Sequence, residues 1–532
     1  MSRQPNFVLF VTDQHRADHL GCYGHPVLRT PNIDALAARG ATFERFFVTS
    51  PVCMPNRASL MTGRMPSIHG VRSNGIPLSM RQTTFVELLA AAGYDTALIG
   101  KSHLQNFTGN PPLVRAPESR DGLRAPPEGL REAFKDPWDD GDYDQESPWF
   151  WQENNAGVRT PFYGFDHVEL CTGHGDEVGG DYRRWLLERR PDGLSLIGPE
   201  NALPGDGGCP QAWRTAVPED LYPTTYIAER AEAWLKTRSS QDRPFFLMVS
   251  FPDPHHPFTP PGRYWDLYRP EDMETPVGFR GEQWEPPPHV RWIHEQRTRG
   301  QANLQKSMMA LGVDEAEARA ARALSCGMIA MVDDAVGRVC SALAASGRKE
   351  DTVVAFTSDH GDYLGDHRLL LKGPIHYQGL IRTPFVWADP ASSGVASRPA
   401  TLAGTMDIAP TILERAGLLG PVGLQGRSLL PAMADPSHRI WDRWVVEEDQ
   451  QRSTFGFDGP IRVRTLLQDR WRMSLYDGVA WGELYDLEND PGELANLWDD
   501  AAAAGARSAM MEGLARAGLS LVDRAPLPTG LA

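Results

Sequence analysis

The sequence predicts an α/β fold: a large, mostly parallel central sheet flanked by helices, with a smaller C-terminal α+β subdomain that contains an antiparallel sheet. Four short apolar runs rich in β-branched and aromatic residues alternate with helix-like segments. Such alternation favours parallel pairing, because each crossover places a helix on one face of the sheet. At 532 residues the chain exceeds what one hydrophobic core usually serves, which indicates a second, smaller unit.

The predicted strands of the large sheet are Phe7–Val11, Thr96–Ile99, Arg243–Phe251 and Thr352–Thr357. A helix-like stretch, Phe85–Ala92, stops at Gly93 just before the second strand. A longer amphipathic stretch, 321–346, is closed by Gly347 before the fourth strand. Glycine after the last periodic residue is a common helix stop, so both stretches fit crossover helices.

Two long segments, about 105–225 and about 259–300, show little periodicity and are rich in proline, glycine and charged or aromatic residues. Segments of this length inside a compact domain are usually functional loops or insertions. Both follow strand ends that carry candidate site residues, so we expect them to wall a pocket. The tryptophans of the first segment predict an aromatic lining: Trp138, Trp149, Trp151 and Trp213.

The pattern changes beyond about residue 435. The runs Ile461–Leu467, Trp471–Tyr476 and Glu483–Leu487 predict adjacent antiparallel strands, and a helix is predicted near 500–517. We therefore divide the chain into a site-bearing α/β domain, 1–434, and a C-terminal subdomain, 435–532. A C-terminal arm of this kind could form the interface of a homo-oligomer, although the sequence does not define the oligomeric state.

Composition and charge exclude several classes of protein. The net charge of −16 and a pI near 5.4 would repel a polyanion, so we expect no nucleic-acid partner. The sequence lacks the run of about eighteen apolar residues that a membrane span needs, so we expect no membrane partner. The first apolar run fits a strand and not a signal peptide. Scattered cysteines without a CxxC pair fit reduced thiols, and together these features predict a cytoplasmic protein.

Polar or ionisable side chains follow all four strands of the predicted sheet. They are Asp13 and Gln14, Lys101 and His103, His255, and Asp359 and His360, in strand order. Ligands of open parallel sheets bind outside the carboxyl ends of the strands, so we expect these side chains to converge. Polar residues often end strands for structural reasons alone. That alternative would explain any one of these positions, but it poorly explains why all four strands end in this way.

Asp13, Gln14, Asp359 and His360 form a plausible site for one divalent metal ion. Hard oxygen ligands favour Ca²⁺, Mg²⁺ or Mn²⁺, and one imidazole nitrogen moves the preference from Ca²⁺ toward Mn²⁺. An Asp-His pair at a strand end is also often structural. The residues alone leave both interpretations open.

The segment Cys53-Met-Pro-Asn-Arg57 carries a candidate nucleophile. Pro55 fits the first turn of a helix that Gly63 ends, so Cys53 would face the positive end of the helix dipole close to Arg57. That setting stabilises a thiolate or a polarised nucleophile. A buried, inert cysteine is the alternative, and the residues alone do not choose between the two.

The motif Cys-x-Pro-x-Arg, followed by Leu-x-Thr-Gly-Arg, resembles the signature of the type I sulfatases of the alkaline phosphatase superfamily. The likeness extends over nearly the whole chain. The further matching segments are Asp13-Gln14, Gly100-Lys-Ser-His103, Pro254-His-His-Pro-Phe258, Ser358-Asp-His-Gly-Asp362 with Lys372, and Glu483–Leu497. Spaced motifs in this order make a coincidence hard to sustain.

The resemblance implies a sulfuric ester hydrolase of the arylsulfatase kind, acting on a small-molecule sulfate monoester. It implies that a formylglycine-generating enzyme oxidises Cys53 to Cα-formylglycine during maturation. It also implies one divalent metal ion, Ca²⁺ or Mn²⁺, held by Asp13, Gln14, residue 53, Asp359 and His360. In such enzymes a metal-bound formylglycine hydrate attacks sulfur, and a covalent sulfo-enzyme intermediate then breaks down.

The remaining site residues take their roles from the same resemblance. Arg57, Lys101 and Lys372 would place positive charge around the sulfuryl oxygens. His255, with Lys372, would protonate the leaving oxygen, and His103 would act as the base that releases sulfate. Asn74 matches a polar position of the substrate pocket, which Lys101, His255 and Lys372 also line.

Two departures from the family pattern keep alternatives open. Position 56 is Asn where the family usually has Ser or Ala, which bears on recognition by the cysteine-oxidising enzyme. The metal set Asp-Gln-Asp-His resembles choline sulfatases and phosphonate monoester hydrolases. A phosphonate monoester or phosphodiester hydrolase is therefore the main alternative, and promiscuous phosphoryl-ester hydrolysis is expected. Lys101 and His103 favour the sulfatase, because phosphonate hydrolases tend to have Tyr and Thr there. A non-catalytic binding protein on the same scaffold is a further alternative.

Overall fold

The computed structural model describes most of the chain. The described residues are all except 1–3, 110–119, 128–129, 132, 134–140, 154–156, 239–242, 282–283, 305–306, 393, 451–453, 527–529 and 531–532. Trp138, one of the tryptophans expected to line a pocket, lies outside them.

The strands are β1 (Asn6–Thr12), β2 (Ala41–Thr42), β3 (Phe46–Phe47), β4 (Asp95–Gly100), β5 (His167–Thr172), β6 (Gly179–Gly180), β7 (Phe245–Ser250), β8 (Leu311–Gly312), β9 (Thr352–Ser358), β10 (Leu369–Leu370), β11 (Phe385–Ala388), β12 (Ala403–Gly404), β13 (Arg443–Gln450), β14 (Ile461–Gln468), β15 (Trp471–Tyr476) and β16 (Gly482–Asp486). The helices are α1 (Pro31–Ala37), α2 (Cys53–Thr62), α3 (Pro66–His69), α4 (Phe85–Ala91), α5 (Pro148–Glu153), α6 (Asp181–Arg189), α7 (Pro223–Lys236), α8 (Pro288–Thr298), α9 (Glu315–Ala345), α10 (Gln378–Ile381), α11 (Ile408–Arg415), α12 (Leu430–Ala434) and α13 (Ala504–Ser520).

An eight-stranded sheet forms the centre of the molecule, in the order β2-β11-β9-β1-β7-β4-β5-β6. Its five middle strands, from β9 to β5, are parallel, and β2–β11, β11–β9 and β5–β6 pair antiparallel. The predicted α/β class is confirmed, and the four predicted strands correspond to β1, β4, β7 and β9. The parallel strand β5 lies inside the segment 105–225, which was predicted to be an insertion without a strand of the central sheet.

Both faces of the central sheet are buried under helices, as alternate residues of β1 show. Val8 and Phe10 pack in a core with α1, α7 and α9, whereas Phe7, Leu9 and Val11 pack in a second core with α2, α4 and α11. A strand that is apolar on both faces is typical of a parallel sheet with a helical layer on each side. The helix α9 reaches from Glu315 to Ala345, longer at its start than the predicted 321–346.

The C-terminal region forms a separate four-stranded antiparallel sheet in the order β13-β14-β15-β16. The predicted strands there are confirmed, and β13 adds an edge strand that was not predicted. Met510 and Ala517 of α13 share a core with Leu466 and Met473 of this sheet. Among the described residues, no helix has both the length and the apolar character that a membrane crossing requires.

Candidate active site

The carboxyl ends of four central strands bring the predicted site residues to one edge of the sheet. Asp13 follows β1, Lys101 follows β4, His255 lies beyond β7 and Asp359 follows β9. The turn after β4 requires glycine, because a Cβ atom at Gly100 would lie 1.8 Å from the carbonyl oxygen of Ser250. Gly100 also has a φ of +111°, a value that residues with a side chain rarely adopt.

Cys53 is the first residue of α2 and is almost fully buried among these strand ends. Its sulfur lies 3.0 Å from Nζ of Lys372, 3.1 Å from Nε2 of His360 and 3.8 Å from Oδ1 of Asp13. Burial and the Asp13 carboxylate raise the pKa of the Cys53 thiol, but Lys372, His360 and Lys101 lower it more, so the net shift is downward. The predicted helix is confirmed: Gly63, with a φ of +64°, ends it after Thr62.

Four buried side chains form a group that could hold a metal ion: Asp13, Cys53, Asp359 and His360, each offering one ligand atom within 4.8 Å of the others. Gln14 adds a fifth candidate. Its Nε2 contacts Asp362 and donates to Nδ1 of His256 at 3.1 Å, while its buried Oε1 has no hydrogen-bond partner among the described residues. A buried carbonyl oxygen without a donor is costly unless a cation lies beside it. The donor set therefore fits one divalent cation with mainly oxygen ligands.

A second group that could hold a metal ion consists of Asp13, His174 and His255. A lysine side chain already binds to part of this group. Lys101 forms an ion pair with Oδ2 of Asp13, and its Nζ lies 2.7 Å from Nε2 of His174. The ammonium group therefore already supplies a positive charge to two members of this group, Asp13 and His174. The geometry therefore favours one metal ion beside a fixed lysine.

Arg57 joins three of the strand ends through its guanidinium group. Its Nε donates to Oδ2 of Asp359 at 2.7 Å, and its Nη1 donates to the Lys101 carbonyl at 3.0 Å and to Oγ of Ser250 at 2.9 Å. The guanidinium is almost fully buried, and its Nη2 lies 3.8 Å from Oδ2 of Asp13. Arg57 therefore holds the Asp359 carboxylate in place and adds positive charge close to both Asp359 and Asp13.

His255 and Lys372 form a hydrogen-bonded pair beside Cys53. Nδ1 of His255 faces the carbonyl oxygen of His256, which only accepts, so this nitrogen carries the proton. Nε2 of His255 then accepts from Nζ of Lys372 at 2.9 Å. Burial, with the neighbouring His174 and Lys372, places the pKa of His255 well below its ordinary value, so the imidazole is neutral.

His103 lies beside Lys101 and makes no hydrogen bond to Cys53 or Lys372. Its ring stacks on Phe107 at a centroid distance of 3.9 Å, and its buried Nδ1 has no hydrogen-bond partner among the described residues. Burial and the charge of Lys101 hold the pKa of His103 well below its ordinary value. The ring of Phe107 also meets the ring of His174 at a centroid distance of 5.5 Å, so Phe107, which was not predicted, borders the site.

Two asparagines form hydrogen bonds that stabilise the start of α2. Oδ1 of the exposed Asn74 accepts from the Met54 N–H at 3.1 Å, directly after Cys53. Asn56 is fully buried: its Oδ1 accepts from the N–H and hydroxyl of Thr49 at 3.0 and 2.9 Å, and its amide nitrogen donates to the Asp359 carbonyl. The asparagine at position 56 thus ties the Cys53 helix to the strand end that carries Asp359.

Four residues of this neighbourhood were not predicted from the sequence: His174, His256, Asp362 and Glu146, whose carboxylate accepts from the His103 N–H. His174 follows β5, and identifying that strand would have put it at the same sheet edge. His256 stood in the doubled His255-His256, and Asp362 stood inside a quoted motif. No feature of the sequence marked Glu146 as a site residue, because it lies in the non-periodic segment far from any predicted strand.

Two family models match the chain, one over most of its length and one over its C-terminal part. A model described as "Sulfatase" matches residues 5–418. A model described as "N-sulphoglucosamine sulphohydrolase, C-terminal" matches residues 365–518. The two matches together include the central sheet, the site and the C-terminal sheet.

Individual relatives match over almost their full length. The chain is 31% identical to the multifunctional alkaline phosphatase superfamily protein PehA of Trinickia caryophylli, over 99% of this chain and 98% of that one. It is 28% identical to an arylsulfatase of Clostridium perfringens, over 93% of this chain and 90% of that one. The crystal structure of a phosphonate monoester hydrolase of Agrobacterium radiobacter superposes with a TM-score of 0.76 at 27% identity, covering 99% of this chain and 98% of that one.

Proposed function

The chain belongs to the sulfatase family, within the alkaline phosphatase superfamily, and we propose that it hydrolyses a small-molecule sulfate monoester at residue 53. The observation that carries the proposal is the position of Cys53, within hydrogen-bonding distance of Lys372 and His360 and beside Asp13. A nucleophile among cations and metal-binding groups suits a substrate that is an anion.

Cys53 is proposed to act as Cα-formylglycine, made by a formylglycine-generating enzyme in the cytoplasm. The motif Cys-x-Pro-x-Arg and its place at the start of α2 support this modification. One hydroxyl of the hydrated aldehyde attacks sulfur, and deprotonation of the second hydroxyl then expels sulfate. An ordinary serine or cysteine has no second hydroxyl of this kind.

Asp13, Gln14, Asp359 and His360 are proposed to hold one divalent ion, Ca²⁺ or Mn²⁺, together with residue 53. The grouped ligand atoms and the unpaired Oε1 of Gln14 support this set. When bound, the ion supplies Lewis-acid polarisation of the sulfate group. Cys53 contributes sulfur to the ligand group as it stands, and its oxidised form would contribute oxygen instead.

The lysines are proposed to stabilise the sulfuryl oxygens from two sides. Lys101 is fixed by Asp13 and His174, and Lys372 by Cys53 and His255, so neither ammonium group has to reorganise as charge shifts. Preorganised donors of this kind are most effective in a site from which water is excluded. Both lysines are almost fully buried.

Two neutral histidines are proposed to move protons. The Lys372 ammonium already donates to Nε2 of His255, so the pair can deliver a proton to the leaving oxygen. His103 is uncharged because its pKa is lowered, which lets it accept the proton whose removal releases sulfate. Asn74 is proposed as a polar contact for substrate next to residue 53.

We also propose that residues 1–434 carry the chemistry and that 435–532 form a supporting subdomain. The subdomain braces the segment beyond Lys372, because His376 pairs with Glu448 at 3.1 Å and with Thr465 at 2.8 Å. Nε1 of Trp444 likewise donates to the Val48 carbonyl at 2.9 Å, just before the start of α2.

A phosphonate monoester or phosphodiester hydrolase is the second candidate. The Asp-Gln-Asp-His metal set and the similarity to the phosphonate monoester hydrolase structure favour it. The pair Lys101 and His103 favours sulfate, so we propose sulfate as the preferred substrate and phosphoryl esters as side substrates.

The two candidates are separated by kinetics on one preparation of the protein. We expect a higher kcat/KM for p-nitrophenyl sulfate than for a p-nitrophenyl phosphonate monoester. Both activities should disappear in Cys53→Ala and persist in Cys340→Ala, a half-buried cysteine in α9 that serves as the control. A large preference for the phosphonate would overturn the sulfatase assignment, and activity that survives in Cys53→Ala would overturn the nucleophile.

A further inference from the structure

The carboxylate of Glu146 accepts hydrogen bonds from three consecutive backbone N–H groups of the loop after β4. Its Oε2 accepts from His103 at 2.8 Å, and its Oε1 accepts from Leu104 at 3.0 Å and Gln105 at 2.9 Å. Glu146 is 1% exposed and comes from the non-periodic segment that precedes α5. One buried side chain of the insertion therefore completes the backbone hydrogen bonding of the loop that carries Lys101 and His103.

The loop needs such an acceptor because of its backbone conformation. His103 has a φ of +57°, in the left-handed region that residues other than glycine seldom adopt. Successive N–H groups in a turn of this kind point to one side and form a concave anion site. The loop is buried, so without Glu146 these N–H groups would lack both a protein acceptor and water, which is unfavourable.

Further hydrogen bonds hold the insertion and the loop after β4 together. Nε2 of Gln105 donates to the Asp142 carbonyl at 2.7 Å, and Oε1 of Gln105 accepts from the Gln145 N–H at 2.9 Å. Glu146 thus sits at the centre of a small interface between the insertion and the β4 loop. Among the described residues, none of the hydrogen bonds of this interface involves Cys53.

We propose that Glu146 is a positioning residue that sets the placement of Lys101 and His103 in the site. The inference rests on the proposed function, in which Lys101 stabilises the sulfuryl group and His103 accepts a proton. The β4 loop carries both side chains within three residues, so a shift of the backbone at His103 would move them together relative to Asp13.

By holding the loop, Glu146 would also keep the His103 ring among the charged groups that set its pKa. Lys101, Arg57 and His174 face His103 with positive or potentially positive charge, and Asp13 faces it with negative charge. A loop released from Glu146 would expose the His103 ring to water and move it from Lys101. Both changes would allow His103 to take up a proton at higher pH than in the native loop.

The test is Glu146→Gln, because the amide keeps the shape of the side chain but turns one acceptor into a donor that faces a backbone N–H. We expect kcat for p-nitrophenyl sulfate to fall about 10- to 100-fold, with a smaller change in KM, because a shift of about 1 Å in a catalytic group costs that much. We also expect the acid limb of the kcat profile to move to higher pH. Glu153→Gln, at an exposed position on α5, should leave both unchanged.

A purely structural role predicts a different result. In that case Glu146→Gln would lower the unfolding temperature but leave kcat per folded molecule and the pH profile unchanged, and the proposal would be wrong. If Glu146→Gln does not fold, Glu146→Asp replaces it. This variant keeps the carboxylate but withdraws it by one methylene from the N–H groups of the loop. A reduced kcat with a shifted acid limb supports the proposal, and native values of both overturn it.

Failure of the proposed function would be visible separately. If the native protein cleaves a phosphonate monoester and not p-nitrophenyl sulfate, the same comparison is made with the phosphonate. If it cleaves neither, a crystal structure of Glu146→Gln decides the matter. Displacement of Lys101 from Asp13 and His174 supports the positioning role, and an unchanged Lys101 contradicts it.

Discussion

Nζ of Lys372 lies 3.0 Å from the sulfur of Cys53 and 2.9 Å from Nε2 of His255, so a single ammonium group joins the candidate nucleophile to a neutral imidazole. The three residues come from the start of α2, the turn after β7 and the segment after β10. Each part of the proposed reaction therefore depends on a contact that forms only when these distant segments have folded together.

Replacement of His255 tests its role in leaving-group protonation. His255→Ala should reduce hydrolysis of alkyl sulfates, whose leaving alkoxides need a proton, by about 100- to 1,000-fold. The reduction should be much smaller for p-nitrophenyl sulfate, because p-nitrophenolate leaves without a proton. Rates measured over a series of leaving groups would show a steeper dependence on leaving-group pKa. Equal losses for all leaving groups would contradict this role, and His438→Ala, at an exposed position, is the control.

Substrate preference is expected to depend on the β4 loop. The double variant Lys101→Tyr with His103→Thr removes one fixed cation and one imidazole from the site. We expect the ratio of kcat/KM for p-nitrophenyl sulfate to that for a phosphonate monoester to fall, since these replacements resemble the phosphonate hydrolases. The ratio is measured with both substrates on the same preparation. An unchanged ratio would show that other residues set the preference.

Removal of the proposed metal ion should weaken the fold as well as abolish activity. Asp13 and Asp359 are fully buried, and a ligand at a hundredfold excess over its Kd stabilises the folded state by about 2.7 kcal/mol. Chelation should therefore lower the unfolding temperature, and readdition of Mn²⁺ or Ca²⁺ should restore it. Asp359→Asn should show little further effect of the chelator, whereas the exposed Asp442→Asn should respond like the native protein. A native unfolding temperature in the chelated protein would contradict a structural metal site.

Asp407 should make the fold less stable as the pH rises. Burial raises the pKa of Asp407 from 3.8 to about 7, although the Arg427 and Gly404 N–H groups and Trp441 donate to it. At a pH between these two pKa values, Asp407 is ionised in the unfolded chain but still protonated in the folded chain. The free energy of unfolding then falls by up to about 1.4 kcal/mol per pH unit from this group, and the penalty is absent below the unfolded pKa.

Urea unfolding of Asp407→Asn at several pH values checks this expectation. The variant should lose less stability than the native protein between pH 5 and pH 7, because the amide cannot ionise. Asp442→Asn should retain the native pH dependence. Parallel curves for Asp407→Asn and the native protein would contradict a raised pKa at this position.

Much of the fold could be predicted because its strands are apolar on both faces. Phe7–Val11 and Thr352–Thr357 are continuous β-rich runs that end in polar residues, and both became central parallel strands. The strand β5 could not be found in the same way, because its residues His167–Glu169 are only partly buried and include polar side chains. Its position depends on pairing with β4, which local sequence does not encode.

The convergence of the site was also predictable, since the carboxyl ends of parallel strands lie at one edge. The contacts within it were not. Lys372 follows the two-residue strand β10, and its position against Cys53 results from long-range packing. Glu146 acts through backbone N–H groups of His103 and its neighbours, an interaction that leaves no pattern in side-chain sequence.

The central claim is that residue 53 is an oxidised cysteine that attacks the substrate. Mass spectrometry of the peptide that contains residue 53 tests it most directly, with protein made in a host that has a formylglycine-generating enzyme. The account predicts the mass of the Cα-formylglycine aldehyde at position 53 in the active protein. An active preparation in which this residue is uniformly an unmodified cysteine would contradict the account.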